Sequence, residues 1–375
     1  FEKNIISNFG GINNIENFWS LLILALMFDS ISKYYLIFLE NKLNSKKYFL
    51  IIVTKNLIYF SCIFLLLFKN YGVKSLLYSL FIANSAILIF VILSQIKNST
   101  FHFNKKYILF ILKISIPNTP KILFGQINSK IDKILIGSIS TFSNVGIYTI
   151  AQSMSYIIFQ ITTSVDKVFI TKTNKMLFNN ENSKIGPYLT SFIYFCSIPA
   201  IGLILFNDIF LHIIIDEKYH GSENVIIILS IYYFSLIFSK IASTQLVYAK
   251  KVWLNTNFFI LNVVLNIILN IPMIFYFGLI GAALATLFAS TISIILVIFY
   301  AKKYAPISYE KKKIFIILLF IFFASLYSII VKNDLIIINS LVEHSVNILI
   351  VIKFLLFGYF IKIFDKTTLK KIIKI

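Results

Sequence analysis

Long runs of apolar residues, separated by short polar segments, repeat along the whole chain. Val252–Ala301 is fifty residues long and contains no Asp, Glu, Lys, Arg or His. Because a helix needs about 20 apolar residues to cross the hydrocarbon core of a bilayer, this run predicts two spans with a turn near Pro272 and Gly278. The pattern predicts eleven spans in all, at residues 18–38, 49–68, 75–96, 107–128, 144–165, 187–207, 224–245, 253–275, 279–300, 314–331 and 345–363.

One stretch, Ile114–Met154, differs from the other apolar runs because polar and helix-breaking residues interrupt it. Pro117 and Pro120 lie in its first part, with Lys113 and Lys121 beside them. An interrupted backbone is tolerated in a membrane where it faces protein or water. The stretch therefore predicts a broken helix that lines a cavity in a transporter.

The composition supports this interpretation and adds little to it. Apolar residues make up 58% of the chain, aromatic residues 17% and charged residues only 13%, which is typical of an all-α, polytopic membrane protein. The two cysteines, Cys62 and Cys196, lie inside apolar runs and have no disulfide or metal-site spacing.

The distribution of charge predicts how the spans are oriented. All 35 basic residues are lysines and the net charge is +20. Twenty-two lysines fall in segments that the eleven spans place on one side of the membrane, and seven fall on the other side. Because Lys and Arg collect on the cytoplasmic side, the C-terminus is predicted to be cytoplasmic. Membrane orientation thus explains the charge without a nucleic-acid partner.

Ionisable side chains inside spans are energetically costly and mark functional positions. Asp29 and Lys33 are four residues apart, so they share a helix face and can pair. The pair is either a packed, self-neutralised contact or part of a gate. Lysines in the spans are candidates for binding an anionic substrate, namely Lys33, Lys55, Lys113 and Lys121. Acidic residues are candidates for ion coupling or gating, namely Asp29 within a span and Asp132 and Asp166 near span ends.

Asparagines recur every four residues along one predicted span, at Asn262, Asn266 and Asn270. Amide side chains are costly against lipid, so this stripe is expected to face other helices or water. It serves either as a hydrogen-bonded contact between helices or as a polar wall for a sugar-bearing substrate.

Enzyme motifs are absent from the sequence. There is no HExxH pattern, no Gly-rich phosphate loop and no Walker sequence, and the four histidines are scattered. We therefore predict a protein that is not an enzyme, with no catalytic residue, no bound metal and no cofactor. Transport would draw on an ion gradient, the membrane potential or the gradient of the substrate.

Four segments carry a resemblance to a known family. The sequences PNTPKILFGQINSKIDKILIG from Pro117 and NVGIYTIAQSM from Asn144 resemble the helix pair that opens the C-terminal lobe of Wzx-type polysaccharide flippases. FGLIGAALAT, from Phe277, is similar to the turn between two later spans of that family, and Glu40–Lys47 resembles its polar linker. These flippases belong to the multidrug/oligosaccharidyl-lipid/polysaccharide exporter superfamily.

The resemblance implies an architecture. The family has fourteen spans, arranged as two six-helix lobes around a central cavity with two further C-terminal helices. Residues 1–100 would then form part of the N-terminal lobe with three spans, 101–301 the C-terminal lobe, and 302–375 the two extra spans and a cytoplasmic tail. Three N-terminal spans would be missing from the sequence, and Ala301–Lys313 would be a flexible hinge.

The resemblance also implies a function. Such a flippase moves undecaprenyl-pyrophosphate-linked oligosaccharides across the bacterial cytoplasmic membrane by alternating access, for O-antigen, capsule or related polysaccharides. Membrane lipids, a polysaccharide polymerase and a chain-length regulator would be its partners. A cationic cavity would meet the pyrophosphate, and its candidate residues are Lys33, Lys55, Lys113 and Lys121.

Two other functions remain open at this point. A cation-coupled multidrug exporter of the same superfamily would use a carboxylate in the N-terminal lobe, and Asp29 is the only acidic residue well inside a span. A membrane polysaccharide polymerase or glycosyltransferase would normally carry catalytic residues in a larger outer loop than the short, arginine-free segment Asn207–Asn224.

Overall fold

The computed structural model describes residues 16–41, 44–72, 74–95, 105–179, 181–215, 221–333 and 339–360. Within these ranges the chain is helical, which confirms the predicted fold class of a transmembrane helix bundle. The helices are α1 Glu16–Asn41, α2 Ser45–Phe68, α3 Lys74–Gln95, α4 Lys105–Ile139, α5 Phe142–Phe178, α6 Asn182–Ile214, α7 Glu223–Tyr248, α8 Val252–Tyr304, α9 Lys311–Lys332 and α10 Ser340–Phe360.

Each of the eleven predicted spans corresponds to one of these helices or to half of α8. Among the described residues, eight helices are long and apolar enough to cross a membrane. The two others are α4 and α5, which carry Asp132 and Tyr148 of the polar site described below. The 53 residues of α8 accommodate both spans predicted for Val252–Ala301.

One predicted interruption of a helix is present and another is not. The backbone of α4 stays helical past Pro117 and Pro120, so the expected break there is wrong. Breaks occur at Phe206 in α6 (φ −116°, ψ 19°), which the sequence does not predict, and at Gly278 in α8 (φ 58°, ψ −134°), where it predicts a turn. Only glycine adopts the second conformation readily, which explains why the predicted turn in α8 lies at Gly278.

Residues 1–108 form one compact unit, and its described helices are α1, α2, α3 and the start of α4. The three complete helices pack around a small core that includes Leu39 of α1, Ile51 of α2 and Ile87 of α3. Asn84 of α3 donates a hydrogen bond of 2.9 Å to the carbonyl oxygen of Ala25 in α1. The NH2 group of this buried side chain thereby finds a partner in the neighbouring helix, and the contact links α1 to α3.

Residues 109–375 form the second unit, which holds the larger core. Tyr194 of α6 stacks on Phe354 of α10 with ring centroids 4.7 Å apart, and its hydroxyl donates to the Phe354 carbonyl oxygen at 2.9 Å. Gly358 lies so close to the Tyr194 ring that no larger residue fits there without a shift. The predicted division at residue 301 stays a prediction.

The break at Phe206 is held by side chains from the two C-terminal helices. A break in a helix leaves backbone carbonyl groups without their usual amide partners. Ser328 of α9 donates to the Ile204 carbonyl oxygen at 2.9 Å, and Asn347 of α10 donates to that of Leu205 at 2.8 Å. Two carbonyl groups of α6 next to the break thereby gain hydrogen-bond partners in an apolar environment.

The link between α8 and α9 is fastened to the second unit, contrary to the expectation of a flexible hinge. Gln245 of α7 donates 2.7 Å to the carbonyl oxygen of Ala305, and Tyr309 donates 2.7 Å to the Gln245 side-chain oxygen. Ile307 is buried, and the carbonyl group of Ser308 packs directly on Gly186 of α6. Burial also raises the pKa of the Tyr309 hydroxyl, which therefore stays protonated as a donor.

We expect Gly186→Ala to lower the melting temperature of the purified protein. A Cβ at this position meets the backbone of Ser308, which cannot rotate away, and such overpacking costs about 1–3 kcal/mol. Gly202→Ala is the matched control in the same helix, because a Cβ there meets nothing within 4 Å. Thermal unfolding in detergent measures both, and equal melting temperatures would contradict the close packing of the link.

Candidate functional site

Asp132 of α4 lies at the centre of a buried polar cluster in the second unit, and its side chain is 2% exposed. Its Oδ1 atom accepts hydrogen bonds from the amide groups of Asn270 at 2.9 Å and Asn266 at 3.3 Å. Its Oδ2 atom accepts from the Thr286 hydroxyl at 3.1 Å and the Tyr148 hydroxyl at 3.2 Å. The carboxylate thus joins α4, α5 and both halves of α8 through four neutral donors.

Local sequence features bring these groups together. Asn266 and Asn270 are four residues apart, so both point from one face of α8. The turn at Gly278 reverses the chain and returns Thr286 to the level of the two amides. Thr141 caps the start of α5 by accepting from the Asn144 backbone amide at 3.3 Å, which sets the direction of the helix that carries Tyr148.

The cluster has the composition of a site for a small cation. None of the four donors carries a positive charge, so the carboxylate is hydrogen-bonded by neutral groups alone. The Oδ1 atom of Asn270 is buried without a hydrogen-bond partner. Rotation of the amide groups presents oxygen in place of nitrogen, and carboxylate, amide and hydroxyl oxygens together suit a hard cation or a proton.

A metal site built on acidic, histidine or cysteine ligands is not found among the described residues. No group of three or more such side chains is close enough to hold an ion there. Any cation at Asp132 would therefore be bound by one carboxylate and by neutral oxygen atoms. Because this set carries a single negative charge, it matches a monovalent ion better than a divalent one.

Asp29, Lys33 and Lys55 form a second polar site, in the first unit. Lys33 pairs with Asp29 at 2.7 Å within α1, as the spacing of four residues predicts. Lys55 of α2 also binds the carboxylate, a contact that links two helices and that spacing alone does not reveal. Two ammonium groups share one carboxylate, so the site carries an excess positive charge, and the Lys33 side chain is 64% exposed.

We expect Lys55→Met to destabilise the protein more than Lys33→Met. Lys55 is only 25% exposed, and its loss removes a shielded charged hydrogen bond worth about 1–3 kcal/mol. Lys33 is 64% exposed, so the protein shields its ion pair less than that of Lys55, and its loss should cost less. Denaturant titration of the two purified variants gives the comparison, and an equal loss in both would show that solvent screens the whole cluster.

Asp166 pairs with Lys240 of α7 at 3.1 Å, which fixes α5 against α7. The Lys240 ammonium group also lies 4.8 Å from the centre of the Phe159 ring, a cation–π contact. The pair is electrically neutral, in contrast to the clusters at Asp132 and Asp29. A role of Asp166 in coupling or gating stays a prediction.

The remaining candidates are only partly described. Lys113 and Lys121 belong to α4, but their side chains lie outside the part of the chain that the structure describes. Asn262 is buried on the face of α8 that also carries Asn266. Asn266 donates to Asn128 at 3.2 Å as well as to Asp132, so its amide makes contacts between helices.

Sequence reasoning names some members of the Asp132 cluster without assigning them to it. Asn270 belongs to the predicted stripe, whereas Tyr148 and Thr286 occur in the segments that resemble flippases. The resemblance marks both segments, but it does not indicate that the two side chains meet at Asp132. Lys240 gives no such signal, because a lysine near the end of a span is equally suited to reach the lipid headgroups.

Comparison with known proteins identifies the family. A family model described as "Polysaccharide biosynthesis protein" matches residues 1–224, which is more than half of the chain. The chain belongs to this family. Membership confirms the resemblance to polysaccharide flippases and the interpretation as a multi-pass membrane protein. Asp132 and its partner Tyr148 both lie inside the range that the family model matches.

Two flippases are similar to this member of the family. The probable low-salt glycan biosynthesis flippase Agl15 of Haloferax volcanii is 26% identical over 194 residues, which cover 51% of this chain and 41% of the relative. The match therefore spans less than half the length of that relative. Because the proteins compared are transporters by name, the comparisons agree with the interpretation that this family member is not an enzyme.

The fold is shared with a solved flippase structure. The lipid II flippase MurJ, in its inward closed conformation, superposes with a TM-score of 0.61 over 90% of this chain and 74% of that protein. The identity is 21%, so this likeness concerns the fold of the family member and not its substrate.

Proposed function

We propose that this protein is a flippase that moves lipid-linked oligosaccharides, carried on undecaprenyl pyrophosphate, from the cytoplasmic to the outer leaflet of the bacterial cytoplasmic membrane. The observation that carries the proposal is the buried carboxylate of Asp132, which joins three helices of a membrane protein through neutral donors. A charged side chain is costly inside a membrane, and it typically pairs with another group or marks the path of a substrate or ion. Membership of a polysaccharide biosynthesis family supports a glycan as the transported group.

Asp132 is the proposed site of the coupling cation, a proton or a sodium ion. Binding neutralises the carboxylate and reorients the Asn266 and Asn270 amides, so α4 and the two halves of α8 would respond together. A cation that binds one conformation better than the other shifts the balance between them. Alternating access between inward-open and outward-open states, as the resemblance implies, is the transition that this shift would drive.

The Asp29 cluster is the proposed contact for the pyrophosphate group. Its two lysines outnumber its one carboxylate, and the exposed Lys33 ammonium group is available to a phosphate oxygen. Lys113 and Lys121 remain predicted members of the same site. The C-terminus is proposed to be cytoplasmic because of the lysine distribution, and a polymerase and a chain-length regulator would act on the product.

The experiment that tests this function uses a strain without the intact gene. Accumulation of complete lipid-linked repeat units on the cytoplasmic leaflet, together with loss of surface polysaccharide, is the expected result. Single units that reach the outer leaflet but are not joined would indicate a polymerase instead. Normal polysaccharide with higher sensitivity to cationic drugs would indicate an exporter of the same superfamily.

A further inference from the structure

One face of α5 is polar along the middle of the helix, although α5 belongs to a membrane bundle. At 3.6 residues per turn, side chains three and four positions apart share a face. Between residues 152 and 164, every side chain on about one third of the helix circumference carries a hydroxyl or an amide group. This polar face of α5 consists of Gln152, Ser153, Tyr156, Gln160, Thr163 and Ser164, and all six are exposed or half-buried.

The polar face of α5 is unsuited to contact with lipid. Amide and hydroxyl groups are costly in hydrocarbon when they lack partners, and polar residues of membrane helices face the bundle interior or water. The exposed side of α2 shows the contrast, because it carries Leu57, Phe60 and Phe64. The polar face of α5 therefore borders water within the membrane.

Another helix cannot pack closely on this face. Close packing of membrane helices uses small residues at the contact, whereas Tyr156 and Gln160 lie at the centre of the polar face and are exposed. Their long side chains hold a neighbouring backbone away. The space next to the face is therefore available to a ligand.

Tyr156 presents a fixed aromatic ring at the centre of the polar face. Its ring stacks on that of Phe159 with centroids 5.3 Å apart, and it meets Tyr233 of α7 edge-on at 5.6 Å. Phe159 is held in turn by the Lys240 ammonium group, which pairs with Asp166. Because Tyr156 is still 39% exposed, part of its ring is open to a ligand in a position that its neighbours determine.

The chemistry of the polar face matches a sugar. The C–H groups on one side of a sugar ring stack on the negative face of an aromatic ring, and its hydroxyls pair with amide and hydroxyl groups. The Gln160 amide offers both donors and an acceptor. The Ser164 hydroxyl donates 2.8 Å to the Gln160 carbonyl oxygen of its own helix, which leaves its oxygen as an acceptor for a sugar hydroxyl.

The length and charge of the face exclude other ligands. Residues 152–164 extend over about 18 Å at the rise of an α-helix, which is too long for a single ion. No residue from 142 to 165 is charged, so a pyrophosphate group finds no counter-charge there. A hydrocarbon chain would leave the six polar side chains without partners.

We propose that the polar face of α5 binds neutral sugar units of the lipid-linked oligosaccharide, with Tyr156 as the stacking platform and Gln160 as the central hydrogen-bonding group. The inference rests on the proposed flippase function and adds the place where the glycan itself is recognised. Lipid and pyrophosphate are bound elsewhere, so this face contributes specificity for the sugar.

The test is equilibrium binding to the full chain in lipid nanodiscs. One probe is the lipid-linked oligosaccharide extracted from the host membrane, and the other is undecaprenyl pyrophosphate, which lacks the sugar. Tyr156→Leu removes the ring, Gln160→Leu removes the amide, and Tyr156→Phe keeps the ring. Tyr359→Leu is the matched control, because it removes a ring of α10 that is 68% exposed and lies outside the polar face.

We expect Tyr156→Leu and Gln160→Leu each to weaken binding of the oligosaccharide probe about fivefold, the effect of one stacking contact or one hydrogen bond. Tyr156→Phe and Tyr359→Leu should bind it like the wild type, and binding of the sugar-free probe should not change in any variant. Unchanged binding of the oligosaccharide in both leucine variants of the face would overturn the proposal, as would an equal loss for the two probes.

Failure of the sugar subsite is distinguishable from failure of the proposed function. A wild-type protein that binds both probes, with variants that do the same, refutes the subsite alone. A wild-type protein that binds neither probe refutes the flippase substrate and the subsite together. Melting temperatures of the variants, measured in parallel, should match that of the wild type, since Gln160 and Tyr156 are exposed.

Discussion

Asp132→Asn is expected to reduce transport of the lipid-linked glycan by at least about tenfold, within the range that coupling between two sites typically provides. The substitution keeps the shape of the side chain and its ability to hydrogen-bond with the hydroxyls of Tyr148 and Thr286. It removes the only negative charge of the cluster, and with it the attraction for a cation. Folding should therefore persist while coupling is lost.

The measurement is outer-leaflet delivery of the glycan in cells, with the amount of protein in the membrane determined in parallel. Thr286→Ser retains the hydroxyl donor to Asp132 and should transport like the wild type, whereas Thr286→Val loses that donor and should be impaired. Transport by Asp132→Asn at the wild-type rate, with the same dependence on the ion gradient, would assign the cluster to helix packing.

The helical architecture could be predicted from the sequence because hydropathy is a local property. An apolar run such as Val252–Ala301 must form helices in a membrane, where backbone polar groups need partners within the segment. The same reasoning predicts the pairing of Asp29 with Lys33, since four residues make one helical turn. Its limit is visible at Lys55, which joins that pair from another helix.

The Asp132 cluster was predictable in its parts but not as a whole. Charge near the end of a predicted span marks Asp132, and helical periodicity marks Asn266 and Asn270. Their meeting depends on how α4 packs against α8, and 134 residues separate Asp132 from Asn266 along the chain. Local patterns carry no information on such packing, so the stripe of asparagines could equally have faced a water-filled cavity.

The helix breaks illustrate how packing overrides local signals. Proline in the interior of a helix lowers its stability, yet α4 continues through Pro117 and Pro120 while α6 breaks at Phe206. Phenylalanine has no intrinsic tendency to interrupt a helix. The donors that stabilise this break come from Ser328 and Asn347, more than 100 residues later in the chain, and a sequence pattern cannot foresee them.

Lys332→Met is expected to destabilise the protein by about 3–5 kcal/mol, the usual cost of removing one partner from a buried ion pair. Lys332 of α9 lies 3.0 Å from the carboxylate of Asp208 in α6 and 3.1 Å from that of Glu343 in α10. All three side chains are largely buried, so the two carboxylates would be left facing each other without a counter-charge. The ion cluster joins the three helices that surround the break at Phe206.

Thermal unfolding and denaturant titration of the purified protein measure this effect. Lys184→Met is the matched control, because Lys184 pairs with Glu181 at 3.1 Å but is 67% exposed, and its loss should cost about 0–1 kcal/mol. Adding Asp208→Asn and Glu343→Gln to Lys332→Met removes the repulsion and should recover part of the lost stability. An equal, small effect at Lys332 and Lys184 would mean that water screens the cluster, and the C-terminal helices would then be held by apolar contacts such as Tyr194 on Phe354.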